Sequence, residues 1–453
     1  MSATPPGPKG LPLFGSSREY ARDPFRFMAA CAETYGDLVR FDLGPFETYM
    51  VTDPDAVERV LVGEASRFRK TSFGTAIDDL LGDGLLMSDG EQWRDQRTLA
   101  NPAFRRRRVA ALAPMMAEAA EDHVGRWSDG DRVDVHVELA RLTVRIIVAA
   151  MFGTDVDEDT VRTVQENLEP LGQRFEPDPR RVLVPDWAPT RENREFDAAV
   201  ETLEEVIDDL VARRLDGGLD GTTAVSDLEP DGENTDLLSI LLRAKRRGEQ
   251  TRREVRDELM TVLLAGHDTT ALTLTYALYL LAEHPETMGR FHAEVDDVVG
   301  DATPTAEHAG RLEFTENVLD ESMRLYPPVY TLFREPKGDV RLGGYRVPEG
   351  AGVMLPQWVI HRSERFYDDP LAFDPDRWRP ERTSERHRFS FFPFGAGPRH
   401  CIGKQLSLLE AKLILGVLGR EFAWSYDVPE EFDLRGSLTM HPDGPVPMTL
   451  ESR

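Results

Sequence analysis

Apolar and polar residues alternate along Leu38–Leu43 and again along Phe46–Val51. This period of two, on either side of a Gly-Pro pair, predicts a β-hairpin. Beyond Pro327, glycines and a proline separate further short strand patterns, which are Val340–Leu342, Tyr345–Val347 and Gly352–Leu355. Strands of this length predict small sheets.

Helical patterns cover much of the remaining chain, and the predicted helices are Glu91–Arg97, Val109–Trp127, Val137–Phe152, Arg194–Leu215, Leu237–Arg247 and Lys404–Leu418. The longest predicted helix follows Thr251, a good N-cap residue, and runs to about Glu283. It would be roughly 48 Å long, enough to cross a globular domain. For Thr71–Gly90, the glycines and apolar residues predict instead a loop that folds over an apolar ligand. The predicted fold class is mainly α, with small β-sheets.

A single domain spanning residues 1–453 is predicted, because no Gly/Ser-rich or Pro-rich linker divides the 453 residues. Residues 1–10 form a proline-rich N-terminal segment, and residues 216–236 predict a flexible, acidic surface loop. No apolar leader or membrane anchor precedes the fold, so we expect a soluble, cytoplasmic protein. Leu259–Ala282 is strongly apolar but contains Asp268, which would cost roughly 2.5–3.5 kcal/mol at a bilayer centre. We therefore expect this stretch to be a buried helix.

The chain is strongly acidic, with 81 Asp and Glu against 54 Lys and Arg and a net charge of −27. Such a charge repels itself in dilute buffer, whereas in molar salt the Debye length falls to about 3 Å and the repulsion is screened. We therefore expect a salt-rich cytoplasm, as in a halophilic microbe. Nucleic acid is excluded as a partner on charge grounds.

One of the two cysteines lies in a distinctive motif. The pattern F-x-x-G-x-R-x-C-x-G is matched by Phe394, Gly397, Arg399, Cys401 and Gly403. With Cys31 as the only other cysteine, neither a disulfide framework nor a four-cysteine zinc site can form. A lone cysteine among glycines and an arginine indicates axial thiolate ligation of a haem iron. The alternative is a turn that contains a buried free cysteine.

The neighbours of Cys401 suit that chemistry. Glycines allow the backbone to curl and present N–H groups to a thiolate, and the following helix directs its N-terminus at the negative charge. Phe394 can shield the sulfur from water, and the guanidinium of Arg399 can bind a haem propionate. The residues expected to contact the cofactor in this segment are Phe394, Gly395, Arg399, Cys401 and Gly403.

On these residues the chain resembles the cytochrome P450 family of haem-thiolate monooxygenases, and the resemblance covers nearly its whole length. It implies one large helical fold, haem b as cofactor, and Cys401 as the ligand of the iron. It further implies insertion of one oxygen atom of O2 into a lipophilic organic substrate. The electrons would come from a separate ferredoxin-like or flavodoxin-like donor, and we expect a monomer.

A glycine and two adjacent threonines are predicted to interrupt the long helix, in the succession Gly266, His267, Asp268, Thr269 and Thr270. Threonine hydroxyls can bond to the i−4 carbonyl and bend a helix, which makes room for a small ligand. A hydroxyl beside a carboxylate also provides a proton relay. The family resemblance implies that Thr269 is the distal alcohol and Asp268 the acid that supplies it. The alternative is a glycine-kinked core helix with Asp268 in a salt bridge.

Glu321 and Arg324 are spaced i, i+3 on a predicted helix that ends at a Tyr-Pro-Pro sequence. Apolar neighbours favour a buried pair over a solvated one, and a buried pair needs further partners. The family resemblance implies Arg377 as the third member of a structural triad. The neighbouring Asp376 replaces the family's glutamate, and its part in the network is left open.

Trp93 and Arg97 are spaced i, i+4 on a predicted helix. In the family such a pair contacts a haem propionate, and Arg334 matches a second propionate ligand. Taken alone, such a pattern usually reflects packing plus a solvated charge. With Cys401 in the same chain, we expect all three residues to bind the cofactor.

The run Arg105, Arg106, Arg107 and Arg108 is unusual in so acidic a chain. It either balances nearby acids at the surface or forms a docking patch for the electron donor. The residues predicted to line an apolar substrate pocket are Phe73, Ile77, Leu85, Met87, Ala265, Val329 and Leu332. Two rival functions are a haem-thiolate isomerase, dehydratase or peroxygenase, and a haem sensor. The presence of both Asp268 and Thr269 favours the monooxygenase.

Overall fold

The computed structural model describes residues 4–71, 75–178, 188–215, 236–428 and 433–453. Its α-helices are α1 (Ser17–Arg22), α2 (Pro24–Tyr35), α3 (Pro54–Glu58), α4 (Thr75–Leu81), α5 (Gly90–Ala100), α6 (Arg106–Ala111), α7 (Ala113–Val124), α8 (Val135–Phe152), α9 (Glu158–Arg174), α10 (Arg191–Leu215), α11 (Leu237–Arg246), α12 (Arg252–Glu283), α13 (Pro285–Val298), α14 (Ala306–Arg311), α15 (Glu313–Leu325), α16 (Gln357–Ile360), α17 (Pro380–Thr383) and α18 (Lys404–Glu421).

The strands are β1 (Leu38–Leu43), β2 (Phe46–Val51), β3 (Phe68–Arg69), β4 (Arg132–Asp134), β5 (Leu332–Pro336), β6 (Val340–Leu342), β7 (Tyr345–Val347), β8 (Gly352–Leu355), β9 (Phe422–Tyr426), β10 (Leu434–Gly436), β11 (Met440–Pro442) and β12 (Pro447–Ser452). They form one five-stranded sheet in the order β1-β2-β8-β5-β3 and three smaller sheets, β4-β12-β9, β6-β7 and β10-β11. The predicted fold class, mainly α with small sheets, is confirmed.

The hairpin and the three later strands have the predicted bounds. In the hairpin, Leu38 pairs with Val51 and Leu43 pairs with Phe46. The predicted helix over Val109–Trp127 is instead divided at Leu112 into α6 and α7. The second residue of α7 is a proline, whose missing N–H cannot continue the hydrogen bonds of the preceding helix.

The long helix α12 is the centre of the fold. Thr251 caps it in a reciprocal capping box with Glu254, and most of its side chains are buried. The predicted interruption at Gly266 is wrong, because α12 is continuous through this residue. The glycine serves packing instead, since a Cβ there would lie 2.7 Å from two side-chain atoms of Ile147 on α8.

The segment predicted as the loop Thr71–Gly90 is partly helical, because α4 occupies its middle. Two carboxylates of α12 hold the backbone that follows α4. Asp257 Oδ2 accepts the N–H of Asp83 at 3.1 Å, and Glu258 Oε2 accepts the N–H of Leu85 at 3.2 Å. These contacts fix the segment against α12.

Of the predicted acidic loop 216–236, residues 216–235 lie outside the described residues. Asp236 is not part of a solvated loop, because its side chain is buried and caps α11. It also accepts a hydrogen bond from Arg214 at 3.2 Å. Within the described ranges, no helix is both long and apolar enough to cross a membrane.

The proline-rich N-terminal segment packs against the hairpin. Arg40 of β1 donates its backbone N–H to the carbonyl oxygen of Pro6 at 2.9 Å. The approach is so close that a Cβ on Gly7 would lie 1.8 Å from the carbonyl oxygen of Arg40.

Candidate active site

Cys401 lies just ahead of α18, and its N–H donates to the carbonyl oxygen of Phe394 at 2.9 Å. The side chain is exposed in a surface depression shared with Arg97 and Lys404. The Cys401 side chain faces this depression, but the protein atoms packed around the sulfur raise the pKa of the thiol. The N–H groups of Gly403 and Lys404 and the charge of Arg97 act in the opposite direction. The start of a helix thus supplies donors to the sulfur, as expected for a site that holds a thiolate.

The reasons for having glycine differ among the three positions around the cysteine. Gly395 and Gly397 have φ values of 64° and 69°, which favour glycine. A Cβ on Gly397 would also lie 1.9 Å from the carbonyl oxygen of Leu61, so close approach to another segment requires this glycine. A Cβ on Gly403 would make only an ordinary contact, 3.9 Å from the sulfur.

Arg399 is held in place by three contacts. Its Nη2 donates to the carbonyl oxygen of Ser88 at 2.6 Å and to Asp89 Oδ1 at 2.9 Å. Its guanidinium lies 4.7 Å from the ring centroid of Trp93 on α5. On the same helix, Arg97 donates to the carbonyl oxygen of His400 at 3.1 Å. The structure therefore brings Trp93, Arg97 and Arg399 to the segment that contains Cys401.

Arg334 and Lys70 complete a group of cations near Arg399. Arg334 is 6% exposed, and burial, followed by the charge of Arg399, lowers its pKa to about 10. Burial and the charges of Arg334 and Arg399 lower the pKa of Lys70 to about 7. Within the described ranges, no carboxylate lies within salt-bridge distance of either side chain.

Arg334 is buried and Lys70 is half-buried. Cations withdrawn from water without carboxylate partners are costly, and the two propionates of a haem would neutralise them. The donor set at this site therefore fits that cofactor. Lys70 was not predicted as a site residue; its one signal in the sequence is that it is a lysine in a chain where almost all basic residues are arginine.

Thr269 and Asp268 do not contact each other through their side chains in the described structure. Thr269 Oγ1 donates to the carbonyl oxygen of Ala265 at 3.0 Å, whereas Asp268 Oδ2 accepts from Thr439 Oγ1 at 2.6 Å. Successive helix residues point about 100° apart, which explains the divergence. Burial alone would raise the pKa of Asp268, but His441, His267 and Thr439 lower it below its usual range. The carboxyl group is therefore ionised at neutral pH.

The predicted pocket residues differ in exposure. Ala265 is exposed on α12, and Met87, Val329 and Leu332 are half-buried. Leu332 lies beside the cysteine segment, with its Cδ1 3.6 Å from the position of a Cβ on Gly395. Ile77 and Leu85 are buried, and Phe73 lies outside the described residues.

Glu321, Arg324 and Arg377 form a buried network. Arg324 binds Glu321 with two parallel hydrogen bonds of 2.8 Å, and Arg377 Nε donates to Glu321 Oε1 at 3.1 Å. Arg324 also donates to the carbonyl oxygens of His361 and Ala372 at 3.0 and 3.1 Å. The additional backbone acceptors offset the cost of burying these charges.

The two residues beside Arg377 have separate roles. Asp376 does not join the buried network, since it pairs with Arg290 at 2.8 Å and with Arg379 at 3.0 Å near the surface. Trp378 does join it, because its indole N–H donates to Glu321 Oε2 at 3.0 Å. Trp378 was not predicted as a member of this network.

The exposed cysteine ahead of α18 and the group of cations near Arg399 are the features expected of a haem-thiolate protein. The sequence profile described as Cytochrome P450 matches residues 5–446. The chain belongs to the cytochrome P450 family. Its cofactor is haem b, and it is a monooxygenase that takes electrons from a separate redox partner.

Similar proteins span nearly the full chain. Cyclooctatin synthase of Streptomyces melanosporofaciens is 36% identical over 91% of this chain and 88% of that protein. Cyclooctat-9-en-7-ol 5-monooxygenase of the same organism is 33% identical over 98% and 95%. Pentalenene oxygenase of Streptomyces avermitilis is 30% identical over 96% and 93%.

Among solved structures, the haem domain of cytochrome P450DA aligns with a TM-score of 0.85 and 28% identity. The alignment covers all of this chain and 98% of that domain. The helical arrangement described above is thus shared with a haem domain.

Proposed function

We propose that Cys401 binds the haem iron through its thiolate, and the observation that carries this assignment is its position at the N–H groups that begin α18. The bound haem supplies the activation of dioxygen and the transfer of one oxygen atom. Phe394 shields the sulfur, Gly395 shapes the backbone around it, and Gly403 directs its N–H group at the sulfur. The residues proposed to hold the propionates are Lys70, Trp93, Arg97, Arg334 and Arg399.

Asp268 and Thr269 are proposed to deliver protons to the reacting oxygen. Thr269 lies one helical turn after the exposed Ala265, so its hydroxyl faces the same side of α12. Asp268 is ionised and hydrogen-bonded, which suits a group that accepts and passes on protons. For this step the Asp268 side chain must turn from Thr439 toward Thr269.

The proposed substrate is a lipophilic, unsaturated hydrocarbon or its monohydroxylated derivative. Two relatives are named for cyclooctat-9-en-7-ol and pentalenene, whose endings denote a double bond and, in the first, a single hydroxyl group. The candidate pocket residues are all apolar, which favours such a molecule over a charged one. Those exposed or half-buried in the described structure are Met87, Ala265, Val329 and Leu332.

An optical titration of the ferric holoenzyme tests this substrate class. We expect cyclooctat-9-en-7-ol and pentalenene to shift the Soret band toward the high-spin position, because a bound substrate displaces water from the iron. For each compound, a saturated fatty acid with the same number of carbon atoms as that compound serves as the charged control. A shift with the fatty acids alone would contradict the proposal.

The electron donor is proposed to dock at the arginine run. Arg105, Arg106 and Arg107 are exposed, and none pairs with a carboxylate in the part of the chain that the structure describes. Arg105 also borders the depression that contains Cys401 and Lys404. Unpaired cations next to the cysteine favour docking of an acidic partner over local charge balance. Arg108 is half-buried and contributes less.

Replacing Arg105, Arg106 and Arg107 together by glutamine is expected to slow the first electron transfer about tenfold at roughly 0.1 M salt. Substrate affinity should not change. Stopped-flow reduction by an acidic ferredoxin measures the rate. The control variant replaces Arg191, Arg252 and Arg253 by glutamine, which removes the same charge. These three residues are exposed on other helices. Equal slowing in both variants would refute a specific docking site.

The acid excess is proposed to adapt the protein to a salt-rich cytoplasm. We expect the melting temperature to rise by about 5 °C or more between 0.1 M and 2 M KCl, because screening removes the self-repulsion of a net charge of −27. Calorimetry of the holoenzyme measures it. Sucrose, which stabilises without screening charge, is the control. Equal melting temperatures at both salt concentrations would contradict the adaptation.

A further inference from the structure

A chain of hydrogen bonds leads from Asp268 to an imidazole on β11. Thr439 Oγ1 lies 2.6 Å from Asp268 Oδ2 and 2.8 Å from His441 Nε2. The direct distance from His441 Nε2 to Asp268 Oδ2 is 3.5 Å, longer than a good hydrogen bond. The hydroxyl group of Thr439 therefore connects the other two side chains.

The direction of these bonds follows from the number of protons available. The ionised carboxylate of Asp268 only accepts, so Thr439 must donate its single hydroxyl proton to it. The oxygen of Thr439 can then only accept from His441, which requires a proton on Nε2. Every bond in the chain thus points from the imidazole toward Asp268.

Strand β11, which carries His441 and directly follows Thr439, is fixed against α12. The hydroxyl of Tyr276 donates to the carbonyl oxygen of Met440 at 2.7 Å, and the N–H of Met440 donates to the carbonyl oxygen of Pro328 at 2.8 Å. Thr439 and His441 flank Met440 on either side. Their alignment with Asp268 is therefore built into the packing of β11 on the helix.

His441 also has access to water and lies among other charged groups. Its side chain is 17% exposed, close to the 19% of Asp268. The ring of His136 on α8 lies with its centroid 5.7 Å from that of His441. The titratable and charged groups around this imidazole are Asp268 and His267 from α12, Asp134 and His136 at the start of α8, Arg435 from β10, and Glu176, which pairs with Arg435.

We propose that His441, acting through Thr439, resupplies Asp268 with the protons that the monooxygenase reaction consumes as one oxygen atom leaves as water. From its doubly protonated imidazolium form, His441 gives its Nε2 proton to Thr439 Oγ1, while the hydroxyl proton of Thr439 passes to Asp268 Oδ2. The net result is the transfer of one proton and no electron, which leaves a neutral imidazole and a protonated carboxyl group. The imidazole then takes its next proton from water. The inference rests on the proton-delivering role proposed above for Asp268.

The test measures how the holoenzyme reduces dioxygen without an organic substrate, so that the substrate class does not enter. Electrons come from an acidic ferredoxin with its reductase, and hydrogen peroxide released per dioxygen consumed is recorded. Thr439→Val removes the hydroxyl at nearly constant shape. We expect it to slow formation of water roughly 10- to 100-fold, with a matching rise in the share of peroxide. Thr439→Ser, which retains the hydroxyl, should behave like the unmodified enzyme.

His441→Gln separates proton supply from positioning. Glutamine can still donate a hydrogen bond to Thr439, but it cannot pick up a proton and pass it on. We expect this variant to lose as much water formation as Thr439→Val, with a changed solvent deuterium isotope effect. If it keeps the original peroxide share and isotope effect, the relay is overturned.

Asp268→Asn distinguishes failure of the relay from failure of the assigned role of Asp268. If Asp268→Asn raises the peroxide share and Thr439→Val does not, only the relay is overturned. If Asp268→Asn leaves the share unchanged, the proton-delivering role of Asp268 is overturned, and the relay with it. The ferric absorption spectrum of each variant must match that of the unmodified holoenzyme, which ensures that the haem site is intact.

Discussion

Replacing Cys401 by serine is expected to reduce dioxygen-dependent oxidation to background while leaving the fold intact. Serine keeps the shape of the side chain, but its hydroxyl does not ionise at neutral pH and gives far less electron density to a metal than a thiolate does. The N–H groups at the start of α18 stabilise a negative charge that serine would not carry.

The optical spectrum of the reduced carbon monoxide complex measures the loss of thiolate ligation directly. Cys31→Ala is the matched control, because Cys31 is also a free cysteine but is buried in α2. We expect that variant to keep both the thiolate spectrum and activity. A thiolate-type spectrum in Cys401→Ser would contradict the assignment of the ligand.

Replacing Arg324 by methionine is expected to destabilise the protein by about 3–5 kcal/mol. The change keeps much of the side-chain length but leaves Glu321 as a buried charge that has lost two hydrogen bonds of 2.8 Å. Both side chains are fully buried, so water cannot replace the lost partner. Urea unfolding followed by far-ultraviolet circular dichroism, in the presence of molar KCl, measures the free energy of unfolding.

The chain offers its own control for a salt bridge in a different environment. Arg290 pairs with Asp376 at 2.8 Å, but its side chain is 46% exposed. Arg290→Met should therefore cost less than about 1 kcal/mol. Equal losses in the two variants would show that burial of the Glu321 network does not determine its contribution.

The local patterns of the sequence were sufficient for several elements because each depends on neighbouring residues. Alternation predicted the hairpin with its correct bounds, and Thr251 marked the start of α12. The glycine at 266 was misread as an interruption, since close packing against Ile147 is invisible in a local pattern. The apolar segment after Lys70 was predicted as a loop, whereas α4 forms there.

The same distinction, between local patterns and contacts formed by folding, applies to the site residues. The cysteine motif is contiguous in the sequence and identified its segment directly, whereas Lys70 had no motif and emerged only from its position near Arg334 and Arg399. The charge pair Glu321 and Arg324 was predictable from helical spacing. The hydrogen bond from Trp378 to Glu321 was not predictable, because these two residues are 57 positions apart in the sequence.

The sequence by itself determined the fold class, the candidate haem ligand and the family, because short motifs and helical periodicity require only neighbouring residues. Only the tertiary structure decided which groups Asp268 meets. Its partner Thr439 is 171 positions away, and β11 brings it to α12 through packing. A contact of that kind depends on how two elements are placed in space, and no local pattern of residue types contains that information.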